Sequence, residues 1–282
     1  MHVYKNILPL LFLFLFACSS CKNRVQYKSP AGYDLNKPEK VVLNTALHEI
    51  SGISFLNGNS SDIFAIEDED GKLYSYTLAD GKTSKLKFAK KGDYEDVTVL
   101  DNNSFVVLRS DGSLFWFPAS AIGKEKVDSV QEYKNILPEG EYEGLTAAED
   151  KLFALCKNCP GDKGKKEVSV YTIQLDSVAA LNVSGSFKID ISMVQGKGER
   201  EKFNPSGIAK HPLTKEWYII SSVNKVLVVL DEQWKVKEFY PLDPSLFNQP
   251  EGITFNNTGD LYISNEGGTG TADILLFKYH QQ

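Results

Sequence analysis

Short apolar strands recur along this chain in pairs. The first strand of each pair carries a serine or glutamate just ahead of a glycine-equivalent position and an apolar residue. The five copies are Ile50-Ser51-Gly52-Ile53, Glu95-Asp96-Val97, Glu143-Gly144-Leu145, Ser206-Gly207-Ile208 and Glu251-Gly252-Ile253. The second strand of each pair is an apolar run ending in polar residues, at 63–66, 105–108, 152–155, 217–220 and 261–263. Taking Gly52, Asp96, Gly144, Gly207 and Gly252 as equivalent, the steps are 44, 48, 63 and 45 residues. A repeat of about 45 residues holding four short strands is the signature of a propeller blade. The 63-residue step is too short for two blades and reads as one blade with insertions. Only 30 residues follow Gly252, room for three strands, and the missing outer strand is Lys40-Val41-Val42-Leu43 ahead of the first repeat. The pattern predicts an all-β fold: a five-bladed β-propeller closed by an N-terminal strand pairing with the C-terminal blade, which leaves no open sheet edge there.

Glycine in four of the five phrases has a structural reason, because strands converge near the ring axis and a residue without Cβ lets backbones approach. The acidic residues need another. Glu95, Glu143 and Glu251 share one phase, directly before the glycine-equivalent position, where Ser51 and Ser206 stand in the other two blades. Superposed, they place three carboxylates and two hydroxyls around one end of the axis. Like charges so gathered raise one another's pKa and cost stability unless a cation or donors compensate them. Two readings stand here: a cation or ligand site, and a water-filled funnel of solvated glutamates. The polar ends of the second strands point toward the same funnel. They are Glu67-Asp68-Glu69, Arg109-Ser110-Asp111, Cys156-Lys157-Asn158, Ser221-Ser222 and Asn265-Glu266. Oxygen-rich side chains of this kind suit calcium. Arg109 offers the opposing reading, an internal ion pair with Glu95 or Glu143.

The ends of the chain carry different signals. Lys5, the apolar stretch 7–16 and Leu15-Phe16-Ala17-Cys18 outline a secretory signal too short to span a membrane. The last four residues resemble a bacterial lipobox, in which the cysteine is diacylated and becomes the new N-terminus. The alternative is ordinary cleavage and a soluble secreted protein. Residues 19–38 are polar, hold Pro30 and Pro38, and lack hydrophobic periodicity. The expected organisation is a lipoprotein signal peptide at 1–17, a polar tether at 18–38 and the propeller at 39–282. Cys18 would then tether the protein to a membrane in the bacterial cell envelope. No acidic cluster follows it, which favours a periplasm-facing placement. The net charge is −6, and losing residues 1–17 with their one lysine takes it to −7. Such an acidic body offers no basic stripe for nucleic acid.

The phrases Tyr94-Glu95-Asp96-Val97, Tyr142-Glu143-Gly144-Leu145, Asn204-Pro205-Ser206-Gly207-Ile208 and Gln249-Pro250-Glu251-Gly252-Ile253 resemble those of the SdiA-regulated family over roughly residues 40–280. The segment running from Glu251 through Leu261-Tyr262-Ile263-Ser264-Asn265-Glu266 is the closest part of that resemblance. It implies an exported five-bladed propeller, distantly similar to the NHL-repeat group, with bound calcium. By motif position Glu95, Glu143, Glu251 and Glu266 carry over as metal residues. Two departures bear on the full shell: Cys156-Lys157-Asn158-Cys159 in the third blade, and Ser221-Ser222-Val223-Asn224, without an acid, in the fourth.

Cys156 and Cys159 form a C-x-x-C that enters a Pro160-Gly161 loop rather than a helix, so a thioredoxin-type role does not fit. Zinc would need two further ligands, and the expected state is a small disulfide. His211 in a His-Pro turn and His280 near the end are expected to face solvent, while His48 is placed to reach the funnel in a structural role. No nucleophile elbow and no phosphate-cradling glycine loop is present. The expected function is a membrane-tethered, calcium-binding propeller that takes an unidentified protein or small-molecule ligand on one face. The alternative is a calcium-dependent hydrolase, lactonase-like or phosphoesterase-like, working in the funnel. A third reading is a structural envelope protein whose acidic ring is solvated.

Overall fold

The computed structural model describes residues 25–281 except 102, 177–179 and 195–201, so the expected signal peptide, Cys18 and Cys21 lie outside the described residues. The chain opens with β1 (Glu39–Val42) and then lays down four blades in succession. The first blade is β2 (Ile50–Phe55), β3 (Asp62–Glu67), β4 (Lys72–Thr77) and β5 (Thr83–Lys87). The second is β6 (Tyr94–Leu100), β7 (Ser104–Arg109), β8 (Leu114–Pro118) and β9 (Gln131–Tyr133). The third is β10 (Glu141–Ala148), β11 (Lys151–Asn158), β12 (Glu167–Leu175) and β13 (Leu181–Asp190). The fourth is β14 (Gly207–Lys210), β15 (Trp217–Ser221), β16 (Val226–Leu230) and β17 (Val236–Pro241). The fifth blade supplies β18 (Pro250–Phe255), β19 (Leu261–Asn265) and β20 (Asp273–Phe277), and takes β1 as its outer strand.

That closure runs antiparallel from Glu39 opposite Leu276 to Val42 opposite Asp273, as the five-blade reading requires. The inner strands β2, β6, β10, β14 and β18 neighbour one another in a ring, with β18 returning to β2. Close approach there depends on glycine. A Cβ at Gly207 would stand 2.5 Å from the Glu251 carbonyl oxygen, and one at Gly252 2.5 Å from that of Ser51. The long step between the third and fourth phrases is taken up by the nine-residue β12, the ten-residue β13 and the segment that follows.

Apolar side chains fill the spaces between blades as five clusters, one per blade boundary. Strands β15 and β16 are buried at every position, which is why they read as unbroken apolar runs.

Two expectations change at the perimeter. Residues 27–36, read as tether, pack on the body. Tyr33 and Leu35 are buried in the cluster between blades four and five. The Tyr33 hydroxyl donates to the Gly259 carbonyl at 2.5 Å, the His280 amide donates to Gly32 at 2.9 Å, and Lys28 pairs with Glu238. His211, expected to face solvent, is fully buried. Its Nδ1 accepts the Leu213 and Thr214 amides at 3.1 Å, and its ring lies against Tyr33, Tyr218, Phe255 and Tyr279. The His-Pro turn is covered because the N-terminal segment lies over it.

Candidate functional site: a carboxylate-lined funnel

Each blade contributes two residues, spaced two apart at the start of its inner strand or just ahead of it, to a cavity of about 530 Å³ at one end of the axis. These are Glu49 and Ser51, Asp93 and Glu95, Glu141 and Glu143, Asn204 and Ser206, and Gln249 and Glu251. Alternate residues of a strand share a face, so a polar position in the repeated phrase brings its i−2 neighbour along. In four of the five blades the ladder slips at the phrase: between Ile50 and Ile53, Tyr94 and Asp96, Tyr142 and Gly144, and Pro250 and Ile253. Bulges of this kind re-aim side chains.

The residue just past the second strand completes the wall in three blades, Asp68, Ser222 and Glu266, and Lys157 near the end of β11 does so in the third blade. Arg109 does not reach it. Its guanidinium bonds Asp111 at 3.0 and 2.7 Å, approaches Glu132 at 3.6 Å and lies over the Phe115 ring. The expected pairing of Arg109 with Glu95 or Glu143 is therefore absent, and Lys157 takes that part. Its Nζ sits 2.6 Å from Glu143 and 3.2 Å from Glu141. Lys157 was legible as part of the polar end of its second strand, in the phase of Asp68 and Glu266; its pairing with Glu143 was not.

Eight carboxylates and two lysines line the cavity. Glu95, Glu143, Glu251 and Glu266 are all among them, so the four positions carried over by resemblance do come together. Glu95 has no hydrogen bond or ion pair among the described residues, and burial together with the Glu143 and Asp93 charges pushes its pKa up to about 9. Burial and Glu143 push Glu251 up to about 7 against a hydrogen bond from Ser222. Glu266 accepts the Gln249 side-chain amide at 2.6 Å and has Glu49 as a neighbouring carboxylate. Burial and that neighbour push it up to about 8. Glu143 is also raised by burial, with Lys157 opposing the shift. Lys157 itself loses by burial, but the Glu143 and Glu141 contacts outweigh this and hold it above the ordinary lysine value.

The other lining groups are more committed. Asp93 accepts the Ser110 hydroxyl at 2.5 Å, and Ser206 donates to the Pro250 carbonyl at 2.7 Å, so that hydroxyl binds blade four to blade five. One oxygen of Asp68 is buried with no partner. His48 stands at the edge, its Nδ1 2.7 Å from Glu49. Lys225 donates to the Asn248 carbonyl at 2.5 Å and pairs with no carboxylate among the described residues.

Among the described residues, the one set of three His, Cys, Asp or Glu side chains with donor atoms all within 4.8 Å is Cys156, Cys159 and Asp162. It is not a metal centre. The cysteines are joined by a disulfide, and Asp162 is committed to Ser169 and Lys188. The funnel carboxylates are spaced more widely. Their chemistry fits a hard cation that takes several of its oxygens from water.

The fold is similar to that of a luciferin-regenerating enzyme, at 11% identity over 85% of this chain and 95% of that one, with a TM-score of 0.51. It is similar to the PQQ-bound aldose sugar dehydrogenase of Streptomyces coelicolor, at 12% identity over 86% and 99% of the two chains and a TM-score of 0.51. The WD40 repeats of RRP9 give 9% identity, coverage of 89% and 100%, and a TM-score of 0.50. At such identities the likeness is one of fold alone. No curated protein matches the chain. The SdiA-regulated family matches residues 28–268, beginning within the segment that docks Tyr33 and running past Glu266. On that match, with the five blades and the repeated phrases, the chain belongs to the SdiA-regulated family.

Proposed function

We propose that the protein is a calcium-binding propeller that serves as a binding or interaction module in the bacterial cell envelope. The observation that supports this reading is the convergence of Glu95, Glu143, Glu251 and Glu266 on one cavity whose acids outnumber its lysines by eight to two. Gathered carboxylates that burial and mutual repulsion push up in pKa are stabilised by a cation, and an oxygen-rich wall suits calcium. The ligand is a protein or small molecule received at the funnel face. Tethering is through a diacylated Cys18, with the body facing the periplasm; among the described residues no helix is long and apolar enough to cross a membrane.

A calorimetric titration of chelator-stripped protein with calcium, paired with thermal melting, tests the reading. Saturable binding with a raised Tm, lost in Glu95→Gln and Glu251→Gln, is the expected result. No binding and no shift at millimolar calcium would overturn it. A hydrolase reading draws on Glu251, whose pKa near 7 suits a general base beside a metal. Turnover on lactone or phosphoester panels that Glu251→Gln abolishes would favour it.

A further inference from the structure

We infer that Lys157 is a tethered cation that holds Glu143 in the metal-free funnel and passes to Glu141 when a divalent cation enters, thereby setting the affinity of the site. The inference rests on the cation-binding reading above. Its basis is a lysine placed between two carboxylates of unequal exposure. Glu143, at 2.6 Å, has a side chain only 9% exposed, whereas Glu141, at 3.2 Å, is 43% exposed. The two stand two residues apart on β10, line the same cavity and both meet Lys157.

Lys157 cannot leave. It lies near the end of β11, where the Cys156–Cys159 disulfide brackets it together with Asn158, and the Cys156 sulfur contacts the Glu141 carbonyl at 3.4 Å. Only the side chain is free to change partner. Among the described residues it is also the one lysine or arginine paired with a carboxylate of the cavity wall. An incoming cation that uses Glu143 must displace this ammonium. Glu141 keeps the displaced charge paired, although an exposed pair of that kind is weak. Lys157 thus opposes metal binding, and Glu141 lowers that opposition.

Calcium calorimetry on Lys157→Met, Glu141→Gln and the double variant tests the exchange. Lys157→Met is expected to bind about tenfold tighter, the loss of a competitor worth about 1.4 kcal/mol. Glu141→Gln is expected to bind more weakly than wild type, and to have little effect in the Lys157→Met background, because Glu141 acts through the lysine. Lys157→Gln, which keeps a donor and loses the charge, carries the same expectation should the methionine variant fail to fold. Unchanged or weaker binding on removal of the lysine charge would overturn the inference. So would a Glu141→Gln effect that persists undiminished in the double variant. If neither wild type nor any variant binds calcium, the cation reading falls and this inference falls with it. Wild-type binding without tightening removes this inference alone.

Discussion

Asp96 accepts the Leu145 amide hydrogen at 2.7 Å, joining the second blade to the third through a buried carboxylate. Its other oxygen accepts the Val97 amide at 2.8 Å. Asp96 stands where the other four blades have glycine, and Gly52 of the preceding blade makes room for it: a Cβ there would lie 2.3 Å from Asp96 Oδ1. Burial drives the Asp96 pKa well up, against the pull of the two amides. Restoring the repeat consensus should therefore harm the protein. Asp96→Gly leaves two buried amides without acceptors, a loss of about 2–3 kcal/mol. Denaturant unfolding of Asp96→Gly beside wild type measures it, and equal midpoints would show that the bridge contributes nothing.

The N-terminal segment adds a second closure beyond β1. Tyr33→Phe removes one buried hydrogen bond, that to Gly259, and should cost about 1 kcal/mol. A chain beginning at residue 37 loses Tyr33 and Leu35 from the cluster between blades four and five as well, and should melt several degrees lower than one beginning at residue 25. Matching melting curves for the two lengths would return residues 25–36 to the status of a plain tether.

The ring was legible because blades repeat. Apolar second strands, turn glycines and the displaced outer strand all follow from burial on both faces and from the need to close an edge, and each leaves a periodic trace. The four glutamates were legible for the same reason. What escaped is what does not repeat. Asp96 looked like a failed glycine, Lys157 like one polar strand end among five with Arg109 as the pairing cation, and His211 like a surface turn. Each takes its meaning from a contact across a blade boundary or between distant parts of the chain. The extra acids Glu49, Asp93 and Glu141 were within reach, since each stands two residues before a position already singled out.

His211 gives acid sensitivity a defined place. Burial pushes its pKa down to about 4, so the folded protein keeps it neutral where the unfolded chain, near 6.5, takes up a proton. The unfolded state then binds more protons, and stability falls as pH drops from about 6.5 to about 4, by on the order of 3 kcal/mol in full. His211→Asn retains an acceptor for the Leu213 and Thr214 amides without the titrating ring. The variant should be less stable at neutral pH and show a flatter loss across that window. Urea midpoints at half-unit pH steps measure both, and parallel curves for variant and wild type would contradict the assignment.

The Cys156–Cys159 disulfide closes a very short loop, so loss of the bond should cost at most about 2 kcal/mol of global stability. Its larger effect should be local. The bond fixes the end of β11 from which Lys157 reaches Glu143, and a loosened end lets the ammonium spend time away from that carboxylate. Reduction by a dithiol, or the paired change Cys156→Ser and Cys159→Ser, should therefore leave the melting cooperative and only modestly lowered. Calcium affinity should move in the same direction as in Lys157→Met, by a smaller factor. Calorimetry on the oxidised and reduced protein compares the two states directly. A reduced protein with unchanged affinity and an unchanged Lys157→Met effect would separate the disulfide from the funnel and leave it as a clasp on the loop beginning at Pro160.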